Sequence, residues 1–269
     1  MRLRTLALVL LAACAAPAAS AETVMRMAVT TSFANSGLAE ALLPRFREET
    51  GITVQLLIVG SGQALTMGAA GDVDVILSHD PQAEAAWLAE GYGTERREIM
   101  YNDFVIVGPR DDPADVAGAS TASQAIVRIA EAGALFVSRG DESGTHVAER
   151  RLWHAAGIEP SGAWYRAIGQ GMGAALNTAA AMEAYTLSDR GTWLAFENRR
   201  GLALLFSGDP ALFNQYALLP VNPERHPHVR AEAVARLAEW LTSQTAQTLI
   251  DGFHRDGVQL FHFNAHVAQ

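Results

Sequence analysis

FVSRGDESGTH, Phe136–His146, is the stretch of sequence that decides how the rest of the chain is interpreted. An apolar run from Ala134 to Val137 predicts a buried strand leading into it, and a helical pattern follows from Val147 to Ala156. Between them lie small hydroxyl residues and glycines around one arginine, Arg139. This order suits an anion, because the first turn of a helix has unpaired N–H groups and a partial positive charge.

The side chains of this loop are compatible with an anion site and also with an ordinary capped helix. Ser138, Ser143 and Thr145 are hydroxyl donors, and the guanidinium of Arg139 is a fork that suits an oxyanion. The alternative is an ordinary helix with Ser143 or Thr145 as its N-cap and Arg139 on the surface. His146, beside Thr145, is a candidate to orient the loop.

The same order of strand, polar loop and helix recurs twice near the start of the chain. The first instance is Val24–Val29 followed by Thr30-Thr31-Ser32, and the second is Ile52–Val59 followed by Gly60-Ser61-Gly62 and a helix over Gln63–Ala70. Further strands are predicted over Gly71–Ser78, Phe104–Val107, Trp164–Ile168, Ala184–Leu187 and Leu202–Phe206, and further helices over Pro81–Glu90, Ala174–Met182 and Arg230–Asp251. Such alternation indicates an α/β fold with mostly parallel sheet, in which ligands collect at the carboxyl ends of the strands.

Charge argues against one class of partner. The net charge is −9 and no block of Lys and Arg is present, so a nucleic-acid partner is not expected. A small anion remains compatible, because local donors can hold it against an unfavourable overall field.

The first 21 residues have the pattern of an export signal and are not expected to belong to the fold. Arg2 and Arg4 form a basic start, Thr5–Ala16 is apolar but too short to span a bilayer, and Ala19-Ser20-Ala21 suits cleavage. A lipoprotein signal is the alternative, because Leu11 to Cys14 has the form of a lipobox. Cys14 is the single cysteine, so disulfides are not expected in the exported protein.

Three other motifs are weaker. Gly169–Ala174 fits a loose dinucleotide pattern with Asp189 twenty residues on, but the strand before it is short and polar. Histidines at 226, 228, 262 and 266 lack the carboxylates or cysteines that would complete a metal site. No G-x-S-x-G is present, and a Ser/His/Asp triad assembled across loops has no local support. The sequence therefore predicts no catalytic residue, no metal and no cofactor.

The donors also indicate the charge of the ligand. A fully ionised oxyanion such as tungstate, molybdate or sulfate only accepts hydrogen bonds, whereas a protonated phosphate also needs an acceptor. Asp141 in the central loop is a candidate for that acceptor, but its closeness to Arg139 predicts that it steadies the guanidinium instead.

Taken together, these segments resemble a known family. The sequence is similar to the periplasmic tungstate-binding components of ABC importers, which belong to the type II two-lobed solute-binding proteins. The resemblance extends along most of the chain and is carried by Thr30-Thr31-Ser32, Val59–Leu65, Met100–Pro109, Ser138–His146, Gly171–Asn177 and Tyr185–Trp193.

The resemblance implies a two-lobed protein with a mixed, mostly parallel sheet in each lobe and two crossover strands. We expect a signal peptide over 1–21, lobe I over 22–106 and 217–269, and lobe II over 107–216. The implied function is capture of tungstate in the interlobe cleft and delivery to a membrane ABC permease, by a periplasmic monomer that is not an enzyme. The implied donors to the oxyanion are Thr30, Thr31, Ser32, Ser61, Arg139, Ser143 and Thr145.

Alternatives remain open at this stage. The same cleft could prefer molybdate, sulfate or phosphate, or it could serve an exported hydrolase. A sensory module that passes the closed state to a membrane receptor would carry the same residues.

Overall fold

The structure is a computed structural model that describes residues 23–141 and 143–265. The predicted signal peptide and Cys14 lie outside the described residues. The α-helices are α1 Thr31–Ser36, α2 Leu38–Thr50, α3 Ser61–Ala70, α4 Pro81–Ala89, α5 Ala122–Glu131, α6 Gly144–Ala155, α7 Met172–Met182, α8 Arg190–Ala195, α9 Ala231–Leu241 and α10 Gln244–Asp251. Short 3₁₀ turns cover Val116–Gly118 and Pro210–Leu212.

The strands alternate with these helices. They are β1 Thr23–Thr30, β2 Ile52–Val59, β3 Val75–Ser78, β4 Arg97–Pro109, β5 Phe136–Ser138, β6 Tyr165–Ala167, β7 Thr186–Asp189, β8 Leu202–Phe206, β9 Phe213–Pro220, β10 His254–Arg255, β11 Val258–Gln259 and β12 His262–Phe263. The main sheet has the order β12-β4-β9-β3-β1-β2, and β7 and β8 also pair with β4.

The parallel part of the sheet explains why polar loops meet at one edge. β1 pairs in parallel with both β2 and β3, and β5 pairs in parallel with β6. The β-branched and apolar run of β2 favours a strand, and the loop after each strand leads into a helix. The carboxyl ends of β1, β2 and β3 therefore lie side by side.

β4 connects two parts of the molecule. Its residues from Arg97 to Asp103 pair with β9, whereas those from Phe104 to Pro109 pair with β7 and β8. The chain returns through the 3₁₀ turn Pro210–Leu212 into β9. Separate apolar cores form on the two sides. Those of the first side surround Phe46 and Trp87, and those of the second side surround Trp153 and Leu176.

The predicted two-lobed α/β fold is confirmed, with differences in detail. Antiparallel pairings outnumber parallel ones among the described strands, because β4 and β9 run against their neighbours. The changes of strand partner at Asp103 and before Phe213 lie a few residues from the predicted lobe boundaries, which stay predictions.

The predicted single helix Arg230–Asp251 is wrong. The structure has two helices, α9 and α10, which are separated by Thr242 and Ser243. The hydroxyl of Ser243 accepts a hydrogen bond from the Ala246 N–H at 3.3 Å and starts α10 as its N-cap. A serine whose side chain bonds the backbone favours a helix start over a helix interior.

Within the described ranges no helix has the length and apolar character needed to cross a bilayer.

Candidate functional site

A cleft of about 720 Å³ lies where the polar loops meet. All the residues predicted as oxyanion donors line it: Thr30, Thr31, Ser32, Ser61, Arg139, Ser143 and Thr145. The structure thus brings together side chains from loops that are more than 100 positions apart in the sequence. We call Thr30–Ser32, Ser61 and His79 the first wall of the cleft, and Arg139–Thr145 with Asp189 the second wall.

The first wall is built from the carboxyl ends of β1, β2 and β3. Thr30 ends β1 and caps α1, because its Oγ1 accepts the Phe33 N–H at 3.4 Å. The hydroxyls of Thr30 and Ser32 are 3.2 Å apart. Ser61 is the first residue of α3 and is 5% exposed, so its backbone N–H lies in the unpaired first turn of that helix. This wall offers neutral donors.

His79 belongs to the same wall and was missed by the sequence analysis. It directly follows β3, and its Nε2 lies 3.5 Å from Ser32 Oγ. Its ring packs against Tyr216, with 5.0 Å between the ring centroids. Burial lowers the pKa of His79 to about 4, so the imidazole is neutral at physiological pH. The sequence does indicate this position, because ligands collect at the carboxyl ends of parallel strands and His79 directly follows β3.

The second wall is centred on Arg139, which follows β5. Its Nε and Nη2 donate to Asp141 Oδ2 at 3.1 and 2.5 Å, and its Nη1 donates to Thr145 Oγ1 at 3.4 Å. The prediction that Asp141 steadies the guanidinium is confirmed. The Arg139 side chain is 13% exposed, so this cation is held in a largely desolvated position.

The start of α6 completes the second wall. Ser143 is its N-cap, with Oγ accepting the His146 N–H at 3.3 Å, and the same hydroxyl donates to Asp141 Oδ1 at 2.6 Å. Burial would raise the pKa of Asp141, but the hydrogen bonds from Ser143 and Arg139 outweigh it and hold that pKa below its usual value. Both the capped helix and the anion-site interpretation of this loop are therefore compatible with its geometry.

The two walls come into contact at Gly144. Gly144 begins α6, and a Cβ atom built on it would overlap Cε1 of His79 and lie 2.7 Å from Nδ1. The backbone of the second wall thus comes within contact distance of the imidazole of the first wall. Only a residue without a side chain permits this approach.

Asp189 is a second residue that the prediction of donors omitted. It ends β7, lines the cleft and is 2% exposed. Its Oδ1 accepts the Thr192 N–H at 2.8 Å, while Oδ2 is buried and has no hydrogen-bond partner among the described residues. Asp189 lies within the segment Tyr185–Trp193 that carries part of the family resemblance, but a carboxylate is not an expected donor to an anion.

Among the described residues, the glycine-rich and histidine motifs form no separate site. Gly171 to Ala174 lines the cleft, with α7 beginning at Met172, and the loop therefore faces the same space as Arg139. In the part of the chain that the structure describes, no group of three or more His, Cys, Asp or Glu residues has an arrangement suited to a metal ion.

Comparison with known proteins agrees with this architecture. A model described as the PBP superfamily domain matches residues 16–245. The tungstate-binding protein TupA of Peptoclostridium acidaminophilum is 43% identical over 249 residues, which are 89% of this chain and 85% of that protein. The solved structure of the tungstate-binding protein TupA from Desulfovibrio alaskensis G20 superposes with a TM-score of 0.83 at 44% identity, covering 91% of this chain and 100% of that one. The structure described as the tungstate ABC transporter from Geobacter sulfurreducens superposes with a TM-score of 0.80 at 45% identity, covering 87% and 100% of the two chains.

Proposed function

This chain belongs to the PBP superfamily, within the family of the tungstate-binding proteins, and on that premise we propose that it captures tungstate in the cleft and delivers it to an ABC permease. The protein acts by binding and release and carries out no chemical conversion. As an exported protein it works in the periplasm, as a monomer.

The observation that carries this proposal is the convergence of hydroxyls, helix starts and one arginine on a single cleft. The starts of α3, α6 and α7 all line it, and each helix start favours negative charge. Arg139 adds a full positive charge between Asp141 and Thr145. A tetrahedral oxyanion without protons only accepts hydrogen bonds, so it suits such a set of donors once the Ser143 hydroxyl turns from Asp141 toward it.

The donors of the proposed site are Thr30, Thr31, Ser32, Ser61, Arg139, Ser143 and Thr145. Since they come from both walls, the anion binds the closed arrangement of the two lobes more tightly than an open one, and it shifts the population toward closure. The lobes extend over 22–106 with 217–269 and over 107–216. The closed form is the state that the permease recognises.

Calorimetric titration of residues 22–269 with tungstate, molybdate, sulfate and phosphate at neutral pH tests this function. We expect one-to-one binding of tungstate that is much tighter than that of sulfate or phosphate. Tighter binding of molybdate than of tungstate would change the proposed ligand but not the proposed site. Absence of binding with all four anions would refute the proposal.

A further inference from the structure

The hydroxyl of Ser32, which lines the cleft, is surrounded by three polar groups. Its Oγ lies 3.2 Å from Thr30 Oγ1, 3.4 Å from Tyr216 Oη and 3.5 Å from His79 Nε2. A hydroxyl has one proton and two lone pairs, so Ser32 can donate to only one partner and accept from two. The protons of its neighbours therefore decide whether Ser32 presents a donor or an acceptor to a ligand.

The phenol of Tyr216 donates to Ser32. Tyr216 lies on β9 and is fully buried, and burial raises its pKa, so the phenol keeps its proton at physiological pH. Ser32 Oγ is the one hydrogen-bond partner of Tyr216 Oη among the described residues. The nearby amides of Asn102 and Asn214 bond each other at 2.7 Å. A buried O–H without an acceptor is costly, so the phenol proton points to Ser32.

The ring of His79 supplies a second proton to the same oxygen. The neutral imidazole has one N–H, which is on either Nε2 or Nδ1. Nδ1 is buried and has no partner among the described residues, whereas Nε2 lies beside Ser32 Oγ. An unpaired buried N–H is rarer in proteins than an unfilled acceptor, so the arrangement favours the Nε2–H tautomer, which donates to Ser32.

With both lone pairs of Ser32 occupied, its own proton has two destinations. One is Thr30 Oγ1, which also accepts the Phe33 N–H at 3.4 Å. The other is an acceptor in the cleft, and a hydrogen bond to an anion is stronger than one to a neutral hydroxyl. Ser32 can thus donate to a ligand but cannot accept a hydrogen bond from one.

We propose that Tyr216, assisted by His79, is a positioning residue that holds Ser32 as a donor and so selects oxyanions that carry no proton. Among the described residues that line the cleft Tyr216 is absent, so it acts through Ser32 and not by contact with the anion. This inference rests on the proposed function and names the feature that excludes a protonated anion, whose O–H would find no acceptor at Ser32.

A double-mutant cycle with Ser32 tests the positioning role by calorimetry with tungstate. Tyr216→Phe frees one lone pair of Ser32 and lets its proton turn away, so we expect tungstate binding to weaken by about fivefold. In the Ser32→Ala background Tyr216→Phe should cause no further loss. Equal losses in both backgrounds would mean that Tyr216 acts through packing and would overturn the inference, as would full affinity in Tyr216→Phe alone.

Tyr185→Phe is the matched control. Tyr185 is also buried, but its hydroxyl donates to Asp112 Oδ1 at 2.9 Å, away from the residues that line the cleft. We expect this variant to bind tungstate as tightly as the wild type. Tyr216→Phe should itself fold, because the aromatic ring that packs against Phe33 and Phe261 is retained.

Selectivity is the measurement that a purely structural role would not change. At pH 8 sulfate and hydrogen phosphate have the same charge, but only hydrogen phosphate carries a proton, and their affinities are measured by displacement of tungstate. We expect Tyr216→Phe to lower the ratio of sulfate affinity to phosphate affinity by about fivefold, because Ser32 can then accept the phosphate O–H. An unchanged ratio would overturn the role in selectivity.

Nitrogen NMR of the histidine rings checks the second donor without any ligand. We expect the ring proton of His79 on Nε2, and a proton on Nδ1 would overturn the assignment of His79 as a donor to Ser32. Absence of tungstate binding by the wild type would remove the proposed function and this inference together. Tungstate binding that Tyr216→Phe leaves unchanged would overturn this inference alone.

Discussion

The two walls of the cleft present the same kind of donor in different electrical surroundings. The first wall consists of hydroxyls and a neutral imidazole at the ends of parallel strands, and no charged side chain belongs to it among the described residues. The second wall also has hydroxyls, those of Ser143 and Thr145, but it holds three charged side chains as well: Arg139, Asp141 and Asp189. The first wall can therefore be assembled from sheet geometry alone, whereas the second depends on a balance of buried charges.

The largest expected effect concerns the cation of the second wall. Arg139→Ala removes a desolvated guanidinium and leaves Asp141 unpaired beside the anion, so we expect a loss of about 4 kcal/mol in tungstate binding, roughly a thousandfold in Kd. Arg166→Ala is the control, because Arg166 is exposed on the neighbouring strand β6, and it should leave Kd unchanged. Titration calorimetry measures both variants.

A double variant separates two roles of Arg139. In Arg139→Ala/Asp141→Asn the unpaired carboxylate is also removed. If the double variant binds tungstate as tightly as the wild type, Arg139 serves only to neutralise Asp141 and is not a donor to the anion. We expect it to recover part of the loss and no more.

The next effect concerns the buried glutamates behind each wall. Behind the first wall, Glu84 is paired with Arg96 at 2.7 Å. Behind the second wall, Glu149 accepts from the neutral donors Trp153 Nε1 at 3.1 Å and Tyr165 Oη at 2.8 Å. Burial raises the pKa of Glu149 to about 7, despite those hydrogen bonds.

These surroundings predict that substitution of the two glutamates changes the free energy of unfolding in opposite directions at pH 8. The folded-state pKa of Glu149 lies above its unfolded value, so its stability contribution is complete at low pH and is lost as pH rises through about 7. Glu149→Gln should raise the free energy of unfolding at pH 8 by about 3 kcal/mol and flatten its pH dependence. Burial raises the pKa of Glu84 as well, although Arg96 opposes that rise. Glu84→Gln also leaves the partly buried guanidinium of Arg96 without this carboxylate, and we expect that loss to outweigh the gain and to lower the free energy of unfolding at neutral pH. Urea unfolding from pH 5 to pH 8 tests both, and the same sign for the two variants at pH 8 would contradict the comparison.

The contact between the walls predicts a third effect. Gly144→Ala adds a Cβ that would overlap the ring of His79, so it should disfavour approach of the walls and weaken tungstate binding by about 2 kcal/mol, roughly 30-fold. Gly173→Ala is the matched control, since a Cβ there meets nothing within 4 Å although Gly173 lines the same cleft.

Removal of the ring provides a further check on that contact. Gly144→Ala/His79→Ala should bind more tightly than Gly144→Ala alone. An additive loss in the double variant would mean that the Gly144 backbone matters for a reason other than its approach to His79.

The first wall was the more predictable of the two. β1 and β2 are β-branched and apolar runs that end in polar residues, and their predicted bounds agree with the observed ones to within a residue. Their parallel pairing then fixes where Thr30 and Ser61 lie. One failure has a physical cause: the helix after Arg230 divides because the Ser243 hydroxyl bonds the backbone at the start of α10. Helix α5 was also not predicted.

Buried charge limited the prediction of the second wall. Arg139 and its pairing with Asp141 follow from their closeness in sequence, and the structure agrees. The unpartnered Oδ2 of Asp189 depends on burial by elements that are distant in sequence, as does the neutral state of His79 in the first wall. Sequence can place a titratable residue at the end of a strand, but its charge there is set by the desolvation that packing imposes.

The smallest expected effect returns to the first wall and tests whether its neutral donors act individually. Ser61→Ala removes one buried hydroxyl and keeps the backbone N–H of α3, so we expect a loss of about 1 kcal/mol in tungstate binding, roughly fivefold. Thr66→Ala is the control on the same helix, since its exposed hydroxyl bonds the Gly62 carbonyl at 3.0 Å. A loss for Ser61→Ala as large as that for Arg139→Ala would contradict the distinction between a neutral and a charged wall. Equal affinities for Ser61→Ala and Thr66→Ala would instead assign the whole contribution of this position to the N–H groups at the start of α3, which sheet geometry provides without any side chain.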